Sequence, residues 1–183
     1  MARWIFRKVA DGLRYLHNEM KIAHRDIKPD NILYMTEKGT GLLSPEDPDD
    51  KETDLVKIGD FTVALELTRE EVRVNDKLGT PAFLAPEVHT QESYLVKPLD
   101  LWAFGITLYA YLSGGSLPFL SENETLTAVS IVKDDIDFEA LTAEDGATKL
   151  SGECIKFLNG VMHKDPARRM SIEQVVAHSW LLP

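Results

Sequence analysis

Residues His24 to Asn31 read His-Arg-Asp-Ile-Lys-Pro-Asp-Asn and put an acid, a cation and an amide on one short stretch of chain. That set suits phosphoryl transfer. Asp26 can accept the proton of an acceptor hydroxyl, Lys28 can hold the moving phosphate, and Asn31, five residues beyond the acid, can ligate magnesium.

Catalytic side chains of this kind need rigid neighbours, and the flanking sequence offers them. Ile5, Phe6, Val9, Leu13 and Leu16 recur at helical spacing, which predicts an amphipathic helix over residues 2–18 with a basic polar face. Ile22-Ala23, Ile32-Leu33-Tyr34-Met35 and Leu55-Val56-Lys57-Ile58 are short apolar runs that read as strands around the loop. Leu99 to Leu112 contains Asp100 and Gly105 and is too short for a bilayer span, so it reads as a buried helix. Ser121-Glu122-Asn123-Glu124 and Ser171-Ile172-Glu173-Gln174 both fit capping boxes that open helices, and a further helix is expected from about Gly152 to His163, with Ile155, Leu158, Val161 and Met162 inward and Asp165-Pro166 ending it.

Composition narrows the function classes. A chain of 183 residues with 44% hydrophobic content can build one globular core. Its net charge of -10 disfavours nonspecific binding to nucleic acid or an anionic membrane and would attract a basic peptide. Half of that charge comes from residues 36–54, rich in Asp, Glu, Gly and Pro, which read as a solvated, disordered surface insertion. Cys154 is the sole cysteine and reads as a small buried hydrophobe rather than a catalytic thiol. With no internal disulfide and no secretory signal, the expected compartment is cytoplasmic or nuclear.

The catalytic loop at residues 24–31 resembles that of eukaryotic protein kinases, and further motifs follow in that family's order. Gly59-Asp60-Phe61-Thr62 stands where the family has Asp-Phe-Gly, and Gly79-Thr80-Pro81-Ala82-Phe83-Leu84-Ala85-Pro86-Glu87 is similar to the end of an activation segment. Asp100-Leu101-Trp102-Ala103-Phe104-Gly105 resembles the central buried helix, and Asp165-Pro166-Ala167-Arg168-Arg169 completes the set. Lys28 and the segment from Gly79 to Glu87 resemble the serine/threonine branch. That segment and Arg14-Tyr15-Leu16-His17 are similar to the calcium/calmodulin-dependent kinase kinase group.

The resemblance implies a mainly α fold with short β-strands, one domain over residues 1–183 with an activation segment at 60–87. It implies ATP and Mg2+ as cofactors and a protein with a Ser or Thr acceptor as substrate. Asp26 would be the catalytic base, Lys28 the phosphate contact, Asn31 and Asp60 the magnesium ligands, and Thr80 the hydroxyl bridging Asp26 and Lys28. Glu87 would pair with Arg169, Asp100 would hold the backbone of the catalytic loop, and His24 would anchor that loop from within. Arg25 belongs to kinases whose activation segment is ordered by a phosphate, and here Asp76 would supply a fixed negative charge instead.

Two departures temper the expectation of activity. Thr62, β-branched, replaces the motif's glycine, which is expected to perturb switching and the aim of Asp60. The Gly-rich loop, strand lysine and glutamate partner would precede residue 1, so the chain is expected to be the C-terminal lobe alone, with an exposed apolar face. The contrasting reading is a noncatalytic module that docks peptides or another kinase chain through the activation segment and the Ser121 helix.

Overall fold

The computed structural model describes residues 2–36, 39–42, 55–138, 141 and 150–182. Helix α1, Ala2–Asn18, buries Ile5, Phe6, Val9, Ala10, Leu13, Leu16 and His17. Those positions form one stripe at three- and four-residue spacing, and exposed Arg3, Lys8 and Arg14 lie off it. Helix α3, Lys97–Leu112, is apolar on all sides, and every residue from Asp100 to Tyr111 is buried. An all-round apolar helix is stable in water only when other elements cover it.

Aromatic side chains supply much of that cover. Phe6 meets Phe104 and Tyr111 edge-on, each at 5.6 Å between centroids, and so joins α1 to α3. Phe104 in turn contacts Phe157 of α5, Gly152–Val161, and Trp180 stacks on Phe157 at 5.1 Å. Full burial of each such ring contributes about 1.5–3 kcal/mol. Gly105 allows α3 to approach the end of α5, because a Cβ there would lie 2.4 Å from Cγ of Met162.

The strands are short and all paired antiparallel. β1 (Ile22–Ala23) pairs with β5 (Leu65–Glu66), and β6 (Arg73–Val74) pairs with β7 (Tyr94–Leu95). β2 (Ile32–Thr36) lies between β3 (Gly39–Leu42) and β4 (Leu55–Ile58). The catalytic loop therefore runs from β1 into a 3-10 turn, Pro29–Asn31, and then into β2. A second 3-10 turn, Pro81–Phe83, precedes the short helix α2, Pro86–Thr90.

Two sequence expectations need correction. Residues 36–54 are not disordered throughout: Gly39–Leu42 form β3, where hairpin pairing of Thr36 with Gly39 and Leu33 with Leu42 satisfies backbone groups. Residues 37–38 and 43–54 of that insertion lie outside the described residues. Helix α4, Glu124–Lys133, is not opened by a Ser121–Glu124 box. Asn123 stands directly before the first helical residue, and its side chain accepts the Leu126 amide at 3.0 Å, so the Ser121 hydroxyl is not needed as a cap. By contrast α6, Ile172–Val176, carries the complete Ser171–Gln174 box, and Ser151 caps α5. Within α5, Cys154, Phe157, Leu158 and Val161 are buried, with Met162 just beyond it, whereas Ile155 is half-buried. Burial pushes the Cys154 thiol up to about 11, which suits a packing role.

Met35 and Leu55 are register partners on β2 and β4, and both are exposed, as is Phe61. Among the described residues, no helix is long and apolar enough to cross a membrane.

Candidate functional site

Asp100, at the start of α3, organises the site from below. Its carboxylate accepts the amides of His24 at 2.8 Å and Arg25 at 2.7 Å, and it lies 2.7 Å from His17 Nε2. Burial alone would raise the Asp100 carboxyl, but His17 and the two amides together hold it below the usual carboxylate range. These bonds seat the loop with Arg25 at a φ of 71°, a left-handed conformation that an L-residue adopts only under local constraint. His24 is fully buried, with Nε2 2.9 Å from the Gly59 carbonyl and Nδ1 3.3 Å from the Asp26 amide. It therefore ties the loop to the segment carrying Asp60.

Above this base, the predicted site residues converge. Thr80 donates to Asp26 Oδ1 through its amide at 3.0 Å and its hydroxyl at 2.6 Å. Lys28 Nζ donates to the Thr80 hydroxyl at 2.8 Å and lies 2.9 Å from Asp26 Oδ2. Asn31 Nδ2 donates to the Asp26 carbonyl at 2.8 Å and to Oδ2 at 3.1 Å. Partial burial acts to raise the Asp26 carboxyl; the bonds from Thr80, Lys28 and Asn31 outweigh it and leave the group below its ordinary value. Gly79 makes the approach of Thr80 possible. Its φ is 118°, and a Cβ would sit 2.7 Å from the Arg25 carbonyl oxygen.

Asp60 is brought beside this cluster because the Gly59 amide donates to the Asn31 carbonyl at 2.8 Å. Its φ is 60°, and its exposed side chain accepts the Thr62 hydroxyl at 2.5 Å and the Thr62 amide at 3.2 Å on the same oxygen, Oδ1. The bond from the Thr62 hydroxyl is the leading cause that holds this carboxyl below its ordinary value. Thr62 itself lies outside the left-handed region, so its branched side chain fits the backbone found here.

The oxygen donors suit magnesium. Asn31 spends its amide hydrogens on Asp26, which leaves its side-chain carbonyl oxygen for a hard cation, and Asp60 adds an exposed carboxylate. Two protein oxygens completed by phosphate and water match the way this ion is commonly held.

The surrounding frame follows the expected pairs. Arg169 grips Glu87 bidentately at 2.7 and 2.8 Å with both side chains essentially inaccessible to solvent, and it also donates to the Pro98 and His163 carbonyls. Its guanidinium lies 5.2 Å from the Trp102 ring. Arg25 pairs with Asp76, and the Tyr94 hydroxyl donates to the Asp76 carbonyl. A cleft of about 310 Å3 opens beside the loop, lined mainly by apolar groups including Phe83, Tyr111 and Leu117, with Pro29 and Asp30 on the loop side.

His17 is a member of this network to which the sequence motifs give no role. His17 is a polar residue on the apolar stripe of α1, four positions after Leu13, and that placement was the available signal.

Comparison with known proteins shows the family. The family described as Protein kinase domain matches residues 1–181. The chain belongs to the protein kinase family. It is 35% identical over 176 residues to myosin light chain kinase 2, skeletal/cardiac muscle, of Mus musculus, covering 96% of this chain and 25% of that protein. It is 38% identical over 176 residues to myosin light chain kinase 3 of Homo sapiens, covering 96% of this chain and 19% of that protein. This kinase sequence thus spans a quarter or less of the length of these relatives.

Proposed function

We propose that this chain carries the catalytic loop of a serine/threonine protein kinase that transfers the γ-phosphoryl group of ATP to a protein hydroxyl. The supporting observation is the Asp26 carboxylate, held at once by Thr80, Lys28 and Asn31. Kept ionised by these contacts, Asp26 orients the acceptor hydroxyl and takes its proton. Lys28, already close to Asp26, supplies positive charge to the phosphoryl group as it passes between donor and acceptor. Thr80 fixes the separation of acid and lysine, and so favours a short Ser or Thr side chain reaching Asp26. Asn31 and Asp60 would hold Mg2+, which neutralises phosphate charge when bound.

Pairing of Arg25 with Asp76 supports an activation segment ordered by a carboxylate in place of a phosphate. The net charge of -10 favours a basic peptide around the acceptor residue. The myosin light chain kinases support protein as the substrate class. The likeness to the calcium/calmodulin-dependent kinase kinase group rests on Arg14 to His17 and on the segment from Gly79 to Glu87. Cytoplasm or nucleus remains the proposed compartment.

The test is ATP- and Mg2+-dependent phosphorylation of a basic Ser/Thr peptide by the whole natural protein. Asp26→Asn is expected to lower kcat by about 10²–10⁴-fold while the fold and nucleotide binding persist. Equal rates in parent and variant would reject the catalytic assignment. A noncatalytic docking module is the second reading, favoured by exposed Leu78, Leu120, Leu126 and Val129 on the activation segment and around α4. No transfer by the parent, with retained capture of peptide, would select it.

A further inference from the structure

The cleft of about 310 Å3 beside the catalytic loop is walled by Phe83, Ala110, Tyr111 and Leu117, with Pro29 and Asp30 on the loop side. Gly114 and Gly115 edge it with bare backbone, and a Cβ on either would meet nothing within 4 Å, so that edge is open. Asp30 is exposed and is the one charged residue of this lining. Neither Asn31 nor Asp60 lines the cleft, so it lies off the side of the loop that offers oxygens to a metal. It adjoins the catalytic acid instead: Phe83 also lines, with Asp26 and Thr80, a second and much smaller depression. Tight turns keep the spacing short, since the Phe83 amide donates to the Thr80 carbonyl at 2.9 Å and the Asn31 amide to the Lys28 carbonyl at 3.0 Å. Three residues of such a turn advance about 6 Å, and Thr80 itself bonds Asp26, which puts the cleft on the order of 10 Å from the acid. An extended peptide spans that distance in about three residues.

We propose that this cleft seats an apolar side chain of the substrate, so that the kinase selects Ser or Thr acceptors with a leucine-sized residue within four positions on one side. The inference rests on the reading of Asp26 as the group that receives the acceptor hydroxyl. Net charge draws basic peptides toward the chain at long range without choosing among them. The cleft chooses at contact range. A leucine stem against Phe83, Tyr111 and Leu117 releases water from both surfaces, whereas an arginine there would give up hydration with Asp30 alone at the rim to meet it. The volume stands at the lower limit of ligand clefts, about 300 Å3, which suits one large side chain with its flanking backbone rather than a helix. Ala110 and Leu117 are the specificity-determining residues, since a carboxylate at either place would reverse the preference.

The experiment uses the whole natural protein with ATP and Mg2+ and a set of peptides that carry one Ser acceptor, lysines at both ends and alanine elsewhere. Leucine, and separately arginine, replaces alanine at each position from six before the acceptor to six after it. Leucine at one position within four of the acceptor is expected to raise kcat/KM roughly tenfold over alanine, chiefly by lowering KM, and to exceed arginine there. In Leu117→Asp the leucine-to-alanine ratio at that position should fall toward one and the arginine-to-alanine ratio should rise, while Leu117→Met should keep the parent's order. Ratios taken on one protein cancel a general loss of activity or of folded material. No leucine advantage at any position, arginine preferred to leucine by the parent, or an advantage unchanged in Leu117→Asp would overturn the proposal. Leucine that helps only beyond four residues would make the occupant a separate docking segment and also overturn it. Transfer to none of the peptides would instead overturn the reading of the chain as a protein kinase, and this inference with it.

Discussion

Individual residues in this protein carry charge into places where water cannot screen it. Glu87 and Arg169 are the sharpest case, because each would be an isolated buried ion without the other. Among the described residues, Glu87→Ala leaves the guanidinium with the Pro98 and His163 carbonyls and the Trp102 face. It is expected to cost about 3–5 kcal/mol, read as a lower urea midpoint with unchanged slope. A loss below about 1 kcal/mol would mean that water reaches the site. The pair was legible only through the family resemblance, which implies that Glu87 and Arg169 meet; an Arg fork then holds the carboxylate through two hydrogen bonds. The bond from Thr62 to Asp60 was not legible. Glycine replacement at position 62 signalled altered backbone freedom, whereas the structure shows an unstrained Thr62 whose hydroxyl changes the acid beside it.

At the scale of elements, periodicity was a reliable guide and local capping chemistry a partial one. Helix α1 spans the residues that its apolar spacing predicts, because a stripe of five large hydrophobes leaves one geometry that buries them together. For α4, the sequence motif pointed to Ser121 as the cap, whereas the backbone path makes Asn123, two residues further on, the residue that caps the helix. The distinction is measurable. Asn123→Ala is expected to destabilise the protein by about 1 kcal/mol, as is Ser171→Ala at the head of α6, while Ser121→Ala should stay within about 0.5 kcal/mol. Thermal unfolding of the three variants ranks them, and a large effect at Ser121 alone would restore the rejected box. Strand β3 escaped notice because Gly39 and Gly41 lack side chains with strand preference; pairing with β2 overrides that weak local signal.

Across the whole molecule, acid stability should be dominated by carboxylates that the fold holds ionised. Asp100 and Asp26 both lie below their ordinary values in the folded chain, so the unfolded chain takes up their protons first as pH falls. Their stabilisation is present in full above the unfolded value of about 3.9 and is lost as pH drops through the folded values beneath it. Urea midpoints between pH 7 and pH 3 should therefore fall. In Asp100→Asn the drop should be smaller, because that titration is gone, although the variant starts lower. An equal drop in parent and variant would remove Asp100 from the acid response.

The sequence by itself determined the family, the helical stripes and the chemical identity of the loop, because motif order, spacing and side-chain type survive in one dimension. Tertiary structure alone decided how those groups are wired. It put His17 of α1 against Asp100 of α3, turned the Asn31 amide toward Asp26, and gave both acceptor positions of Asp60 Oδ1 to Thr62. Hydrogen bonds depend on ångström distances and on which face of a group is free, and both are set only when distant segments pack.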